Sequence, residues 1–371
     1  MRILHVVGKL DRGGAETWLV QVLRHIDRKK YQMDFLVHTT YAGAYDEEVR
    51  SLGARIIPCL SYTNPMSYAR TFLRILRQYG PYDVVHSHVH HFSGYVMLLA
   101  AMGGVRVRIS HGHTARLMRE SARTCRRRAY DATMRHLVAR FASAGIAVSQ
   151  DSADALFPRD WRNSPKWSVL YTGIDLSPFG QPADRDEIRG ELGIPSHAVV
   201  VGHVGRFVPE KNHSFFVEIA REFAQIEDRA FFLLVGDGEL RPVAESQVQS
   251  LGLQERFKFT GVREDIPRLM MGAMDILLLP SRFEGIPLTV LEAQAAGLPC
   301  LISDVVTTEC DVVSGLIERE SLTVPAEAWA KRLSQMSHSL ATREPNLILP
   351  ELHSRSAQKS GNDLIGCYNA R

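Results

Sequence analysis

The segment Ser281-Arg-Phe-Glu-Gly-Ile-Pro-Leu-Thr-Val-Leu-Glu292-Ala-Gln-Ala-Ala-Gly297 decides how the chain is read. It follows the apolar run Ile276–Pro280, which has the length and composition of a buried strand. Gly285 lets the backbone approach a ligand closely. Pro287 suits the first helical position, Leu288–Ala296 reads as a short helix, and Gly297 is placed to end it. A strand, a glycine turn and a helix start in that order expose main-chain amides that suit a phosphate. Gly285, Ile286, Leu288 and Thr289 are the candidates at this turn. Glu284 stands just before the helix, and Glu292 about one turn inside it on the Leu288/Thr289 face. One carboxylate near each end of a bound phosphate suits sugar hydroxyls on one side and a ribose on the other. The plainer alternative is an acidic first turn that serves the helix dipole.

Outward from this segment, short apolar runs alternate with longer amphipathic stretches. Towards the N-terminus the runs are Ile3–Val7, Met33–Val37, Val84–His86, Val107–Ser110, Gly145–Val148 and Ser168–Leu170. After a turn-rich, charged interval the alternation restarts with Ala198–His203, Phe231–Val235, Phe257–Thr260, Ile276–Pro280 and Pro299–Ser303. Runs of this kind are parallel strands covered on both faces by crossover helices. Two Rossmann-like α/β domains are expected, residues 1–180 and 181–345, with the boundary near Gly173–Ser196 and a ligand cleft where they face each other. A closing helix over 354–368 is expected to complete the first domain, and the stretch from Gly315 to Pro350 reads as irregular.

A chain of 371 residues accommodates two such domains, and its hydrophobic (45%) and charged (23%) fractions are those of an ordinary globular protein. A net charge of +3 gives no case for nucleic acid. The five cysteines are odd in number and none has CxxC spacing, which argues against a disulfide framework and fits a reducing cytoplasm. The opening run Met1–Val7 is too short for a signal peptide, and no stretch approaches the roughly 20 apolar residues of a membrane span.

Further candidates follow strand ends. Val204-Gly-Arg-Phe-Val-Pro-Glu-Lys-Asn212 places Arg206 and Lys211 in a strand-to-helix loop, where two cations neutralise a diphosphate. A solvated loop is the alternative. Gly8-Lys-Leu-Asp-Arg-Gly-Gly-Ala-Glu16 is a glycine-rich turn but not GxGxxG, so a dinucleotide fingerprint is absent. Gly236-Asp-Gly-Glu239 and Phe259-Thr-Gly-Val-Arg263 are turns able to hold a nucleobase through main-chain groups, with Val262 as the contact. Histidines cluster in His86-Ser-His88-Val-His90-His91 and His111-Gly-His113. A metal site is set aside: only His86/His90 has i, i+4 spacing, and no acid or cysteine accompanies the group. Neutral imidazoles presented to a polar substrate, or hydrogen-bonded loop histidines, are the remaining readings.

Taken together these segments resemble the retaining GT-B glycosyltransferases of family four, most closely the bacterial exopolysaccharide-biosynthesis branch. The resemblance rests on Arg12-Gly-Gly-Ala-Glu16, Asp34-Phe-Leu-Val-His38, Val85-His-Ser-His88, His111-Gly-His113, Ala147-Val-Ser149, Val204-Gly-Arg206, Glu210-Lys-Asn212, Val235-Gly-Asp-Gly238, and the E-x7-E pair Glu284 and Glu292. It implies that Arg206 and Lys211 bind the donor diphosphate, Glu284 holds donor-sugar hydroxyls near the reacting centre, and Glu292 takes the ribose. It also implies that Gly14 approaches the phosphates and that His111 lies near the donor sugar. The implied activity is transfer of a sugar from a nucleoside diphosphate to a glycan or lipid-linked acceptor, with retention and without a metal or other cofactor. Uridine diphosphate is the nucleotide that the resemblance favours. Two other classes stand beside it: a sugar-nucleotide epimerase of the same fold, and a catalytically silent sugar-nucleotide-binding subunit. A nicotinamide-dependent oxidoreductase lacks its fingerprint here.

The region Arg116–Arg140 is a separate signal. Its eight arginines are opposed by only Glu120 and Asp131, a local net charge of +6 in a chain whose total is +3. Peripheral contact with an anionic membrane, at the inner face of the cell membrane, is the functional expectation. A solvated helical face is the alternative.

Overall fold

The computed structural model describes residues 1–113, 124–339 and 350–370. The chain divides into two compact units, Met1–Ile174 together with Arg355–Arg371, and Asp175–Ser354.

The first unit is built on a seven-stranded parallel sheet of β1 (Arg2–Val7), β2 (Gln32–Val37), β3 (Ile56–Pro58), β4 (Val84–Ser87), β5 (Val107–Gly112), β6 (Ala144–Ala147) and β7 (Trp167–Val169). The spatial order is β3-β2-β1-β4-β5-β6-β7, so the winding reverses between β1 and β4. β4 and β6 are buried at every position, because helices cover both faces of the sheet. Leu4, Leu36, Phe72, Val85, Val96, Met97 and Phe157 pack in the core on one side. The helix Gly14–His25 crosses after β1, and the closing helix Ala357–Asn369 packs against it. That packing includes a buried bond from Trp18 Nε1 to Ser360 Oγ of 3.0 Å.

The second unit holds a six-stranded parallel sheet of β8 (Val199–Val204), β9 (Ala230–Val235), β10 (Phe257–Gly261), β11 (Ile276–Leu279), β12 (Cys300–Ser303) and β13 (Ile317–Glu320). Its order is β10-β9-β8-β11-β12-β13, and the winding again reverses beside the first strand, between β8 and β11. Phe216, Phe223, Phe232, Leu278, Trp329 and Leu333 anchor its core. A buried Arg189 is held by Asp275, which also accepts from Arg185 and from the Val200 amide.

Two expectations change. The stretch from Gly315 to Pro350 is not irregular where it is described: it contains β13 and the helix Ala326–His338, while 340–349 lie outside the described residues. β13 reads Ile-Glu-Arg-Glu and, among the described residues, pairs only with β12, so it lacks the apolar signature of a central strand. β3 was likewise not legible, being a three-residue edge strand that ends at Pro58. Pro287 takes the cap position rather than the first helical one, because its ψ of 108° is extended.

Candidate active site

In the second unit, the loops after β8, β9, β10 and β11 leave from the carboxyl ends of four adjacent parallel strands. Open α/β sheets bind ligands at that end, at the reversal point of the winding. The turn Gly236-Asp-Gly238 lies against the β8 loop so closely that a Cβ on Gly236 would stand 2.1 Å from the Gly205 carbonyl oxygen. With φ of +135°, this position admits only glycine. The Gly236 amide also donates to the Gly261 carbonyl at 2.8 Å, which ties the turn to the end of β10.

The β8 loop and the β11 loop are stitched together. Asn212, in the left-handed conformation (φ 58°), donates through Nδ2 to the Pro280 carbonyl at 3.1 Å. The Arg282 amide donates to the Glu210 carbonyl at 2.8 Å. Across this junction Lys211 Nζ donates to Glu284 Oε1 at 2.7 Å, both side chains being largely shielded from solvent. Arg206, on the same loop as Lys211, is exposed and makes no ion pair among the described residues.

The helix Leu288–Ala295 starts at Pro287 with no side-chain cap, so its first amides have no side-chain acceptor of their own. Gly297 follows its end with φ of +62°. Ser281 Oγ, in the loop after β11, and Thr289 Oγ1, in the first turn of the helix, are buried without a hydrogen-bond partner among the described residues. Unpartnered buried hydroxyls are costly in a finished fold and mark a place where a polar ligand fits. Ile286 is buried, Gly285 and Leu288 are half-buried, and Val262 is exposed at the end of β10. Glu292 is half-buried, and desolvation pushes its carboxyl up to about 7. The arrangement offers cations, uncapped amides and hydroxyls for an anion, and two carboxylates for hydroxyl groups.

Gly14 and His111 belong to the first unit. Gly14 is the first residue of its helix, directly after Gly13 in extended conformation. His111 lies within β5 and His86 within β4, so both are strand residues rather than loop histidines. They form part of a five-imidazole array, with His5, His86 and His111 on three neighbouring strands and His88 and His113 just past the ends of β4 and β5. His5 Nδ1 meets His88 Nε2 at 3.0 Å, His88 Nδ1 meets His113 Nε2 at 2.8 Å, and His86 Nε2 meets His111 Nδ1 at 3.1 Å. Desolvation by burial holds all five well below the usual histidine range, with His5 and His113 down to about 3. They are therefore neutral.

The array also corrects the spacing argument about metals. The sets His5/His86/His88 and His88/His111/His113 each offer nitrogens within 4.8 Å of one another, because strand pairing gathers them where sequence spacing does not. Several of those nitrogens already bond to each other. His5 was not anticipated, although a lone histidine in the apolar run of β1 was a usable signal. Tyr368, which bonds His86, had no signal at all.

In the first unit's basic region, Arg116, Arg119, Arg123 and Glu120 lie outside the described residues. The helix Cys125–Phe141 carries the remainder, with Arg126, Arg127, Arg128 and Arg140 exposed. Arg127 pairs with the buried Asp131 at 3.1 Å, and Arg135 is turned inward onto the Phe157 carbonyl. No helix among the described residues is long and apolar enough to cross a membrane.

Comparison with known proteins decides the family. Residues 12–178 match the family described as Glycosyltransferase Family 4, and residues 184–344 match Glycosyl transferases group 1. The putative glycosyltransferase EpsF of Bacillus subtilis (strain 168) is 33% identical over 376 residues, covering 99% of this chain and 96% of that protein. The chain belongs to this glycosyltransferase family. A second similar protein is the Escherichia coli UDP-Gal:alpha-D-GlcNAc-diphosphoundecaprenol alpha-1,3-galactosyltransferase. It is 37% identical over 150 residues, 39% of this chain and 38% of its own. Among solved structures, HepE of Anabaena in complex with UDP matches with a TM-score of 0.79 at 19% identity, covering 100% of both chains. At that identity the likeness shows the fold alone. This glycosyltransferase has the GT-B fold, two parallel-sheet α/β domains.

Proposed function

We propose that this glycosyltransferase moves a sugar from a uridine diphosphate donor, with retention and without a metal ion, to a glycan or lipid-linked acceptor in cell-surface polysaccharide synthesis. The observation that carries the donor half is the junction of the β8 and β11 loops. There Arg206, the Lys211–Glu284 pair and an uncapped helix start stand together at the reversal point of one sheet. Arg206, Lys211 and the amides of Gly285, Ile286, Leu288 and Thr289 meet the diphosphate charge that a metal ion meets elsewhere. Glu284 takes donor-sugar hydroxyls, Glu292 the ribose, and Val262 the base. In the first unit, Gly14 serves the phosphates and His111 the donor sugar.

The uridine nucleotide is supported by HepE, crystallised with UDP, and by the UDP-galactose named for the Escherichia coli relative. That relative's diphosphoundecaprenol substrate also supports a lipid-linked acceptor, which the exposed arginines of Cys125–Phe141 would bring to an anionic membrane face.

The test is a thermal-shift panel of nucleotides and sugar nucleotides, followed by release of free UDP with and without acceptor in the presence of EDTA. UDP at 100 times its dissociation constant stabilises by about 2.7 kcal/mol. No stabilisation by any uridine nucleotide, or a strict need for added magnesium or manganese, removes the proposal.

A further inference from the structure

Tyr368 lies on the closing helix, 282 residues from His86 in sequence, yet its hydroxyl bonds His86 Nδ1 at 2.7 Å. The phenol is 1% exposed, and His86 and His111 are 0% exposed. Each imidazole is neutral, because burial and its histidine neighbours disfavour the charged form. A neutral imidazole has one donor nitrogen and one acceptor nitrogen, so a bond at one end fixes the role of the other.

The direction follows from the phenol. His86 Nδ1 is the only hydrogen-bond partner of the Tyr368 hydroxyl among the described residues. If that oxygen accepted, its own proton would be buried without an acceptor, the costly arrangement. The phenol therefore donates, and His86 Nδ1 accepts. His86 then carries its proton on Nε2 and donates to His111 Nδ1 at 3.1 Å. His111 in turn carries its proton on Nε2. That nitrogen is buried and has no partner among the described residues. Trp18 fixes the ring from the side, edge-on at 5.4 Å, and is itself bonded to Ser360 of the same closing helix.

We propose that Tyr368 is a positioning residue which, through His86, holds His111 in the Nε2–H tautomer, so that His111 presents a hydrogen-bond donor to a hydroxyl of the bound donor sugar. The use made of that donor rests on the reading of His111 as a donor-sugar contact. The tautomer itself does not. His111 so held is not a general base: its Nδ1 lone pair is occupied by His86 and its Nε2 carries the proton. The closing helix thus acts on chemistry in the first unit through two bonds, without touching substrate.

The experiment is a long-range proton–nitrogen correlation on the full chain with 15N-labelled histidine. In the wild-type protein His111 and His86 are expected as Nε2–H, and an Nδ1–H signal for His111 overturns the relay without any mutant. In Tyr368→Phe both rings are expected to lose the single tautomer, while UDP affinity, which lies with residues outside the His86–His111 relay, is unchanged. Turnover is read with whichever of UDP-glucose, UDP-galactose and UDP-N-acetylglucosamine the wild-type enzyme consumes. Tyr368→Phe is expected to lower kcat on the order of tenfold, the effect of one misdirected hydrogen bond, with KM for the sugar nucleotide little changed. Unchanged kcat overturns the positioning role. If none of the three donors is consumed, turnover is read with the uridine sugar nucleotide that stabilises the protein most, and the nitrogen shifts decide the tautomer in either case. If transfer proceeds with His111 as Nδ1–H, the relay fails and the function stands.

Discussion

Lys211 and Glu284 neutralise each other across the junction of two loops, with Lys211 Nζ 2.7 Å from Glu284 Oε1. The cation assigned to the diphosphate and the carboxylate assigned to the sugar are one ion pair. Phosphate must therefore compete with Glu284 for Lys211. Glu284→Gln removes the competitor, so UDP is expected to bind as tightly as to wild type or tighter, while sugar transfer is lost. Isothermal titration with UDP beside a transfer assay checks this. A parallel loss of UDP affinity and turnover would sink the assignment of Glu284 to the sugar.

Among the described residues Arg206 has no ion-pair partner to give up. Its loss is expected to cost UDP affinity the full value of a charged hydrogen bond, about 1.5–3 kcal/mol, or roughly 10- to 150-fold in Kd. Lys211→Ala is expected to cost less, because wild-type Lys211 first has to leave Glu284. UDP titrations of the two variants give the order directly, and the reverse order would contradict the exposed, unpaired state of Arg206.

Glu292 gives a pH signature. Its folded carboxyl titrates at about 7, against an ordinary 4.5, because burial disfavours the anion. Between those values the folded chain holds a proton that the unfolded chain has released. Stability contributed by this group is thus complete at low pH, falls as pH rises through that window, and is flat above it. Glu292→Gln should raise the thermal midpoint relative to wild type at pH 8 but not at pH 4.5. If Glu292 grips the ribose as an anion, UDP binding near pH 6 releases a proton, seen as buffer-dependent heat, and the variant loses that release along with affinity. An unaltered proton release in Glu292→Gln would assign it to another group.

Asp275 is the acceptor for a buried charge. Arg189, 1% exposed, donates to it at 2.7 Å and to the carbonyls of Ala198 and Ala273. Asp275→Ala leaves that guanidinium without its counter-ion. The expected loss is about 3–5 kcal/mol, measured as a drop in the urea midpoint of the second unit. A change below 1 kcal/mol would mean that the carbonyls alone hold Arg189.

Salt-sensitive binding to anionic vesicles tests the membrane reading. Arg126, Arg127 and Arg128 are exposed on one helix, and each basic residue near such a surface contributes about 1 kcal/mol. Replacing all three by Ser should abolish binding to phosphatidylglycerol vesicles at low salt and leave UDP affinity intact. Wild-type protein that ignores those vesicles at low salt would favour a soluble acceptor.

What the sequence determined by itself was the alternation of strands and helices and the order of the loops. Parallel strands such as Ala230-Phe-Phe-Leu-Leu-Val235 are buried on both faces, so they are written as unbroken apolar runs that need no partner to be recognised. Glycines and prolines marked the turn before Leu288 for an equally local reason. Of the four edge strands, β7 and β10 were read and two escaped: β3 is three residues long and ends at Pro58, and β13 is written in charges. What only the tertiary structure decided was which side chains meet. Lys211 reaches Glu284 across 73 residues, and Tyr368 reaches His86 across 282. Such pairs depend on which loops leave neighbouring strands and which helix packs back on the sheet. Hydrogen bonds and ion pairs act over a few ångströms in space, and no local pattern in the chain records those distances.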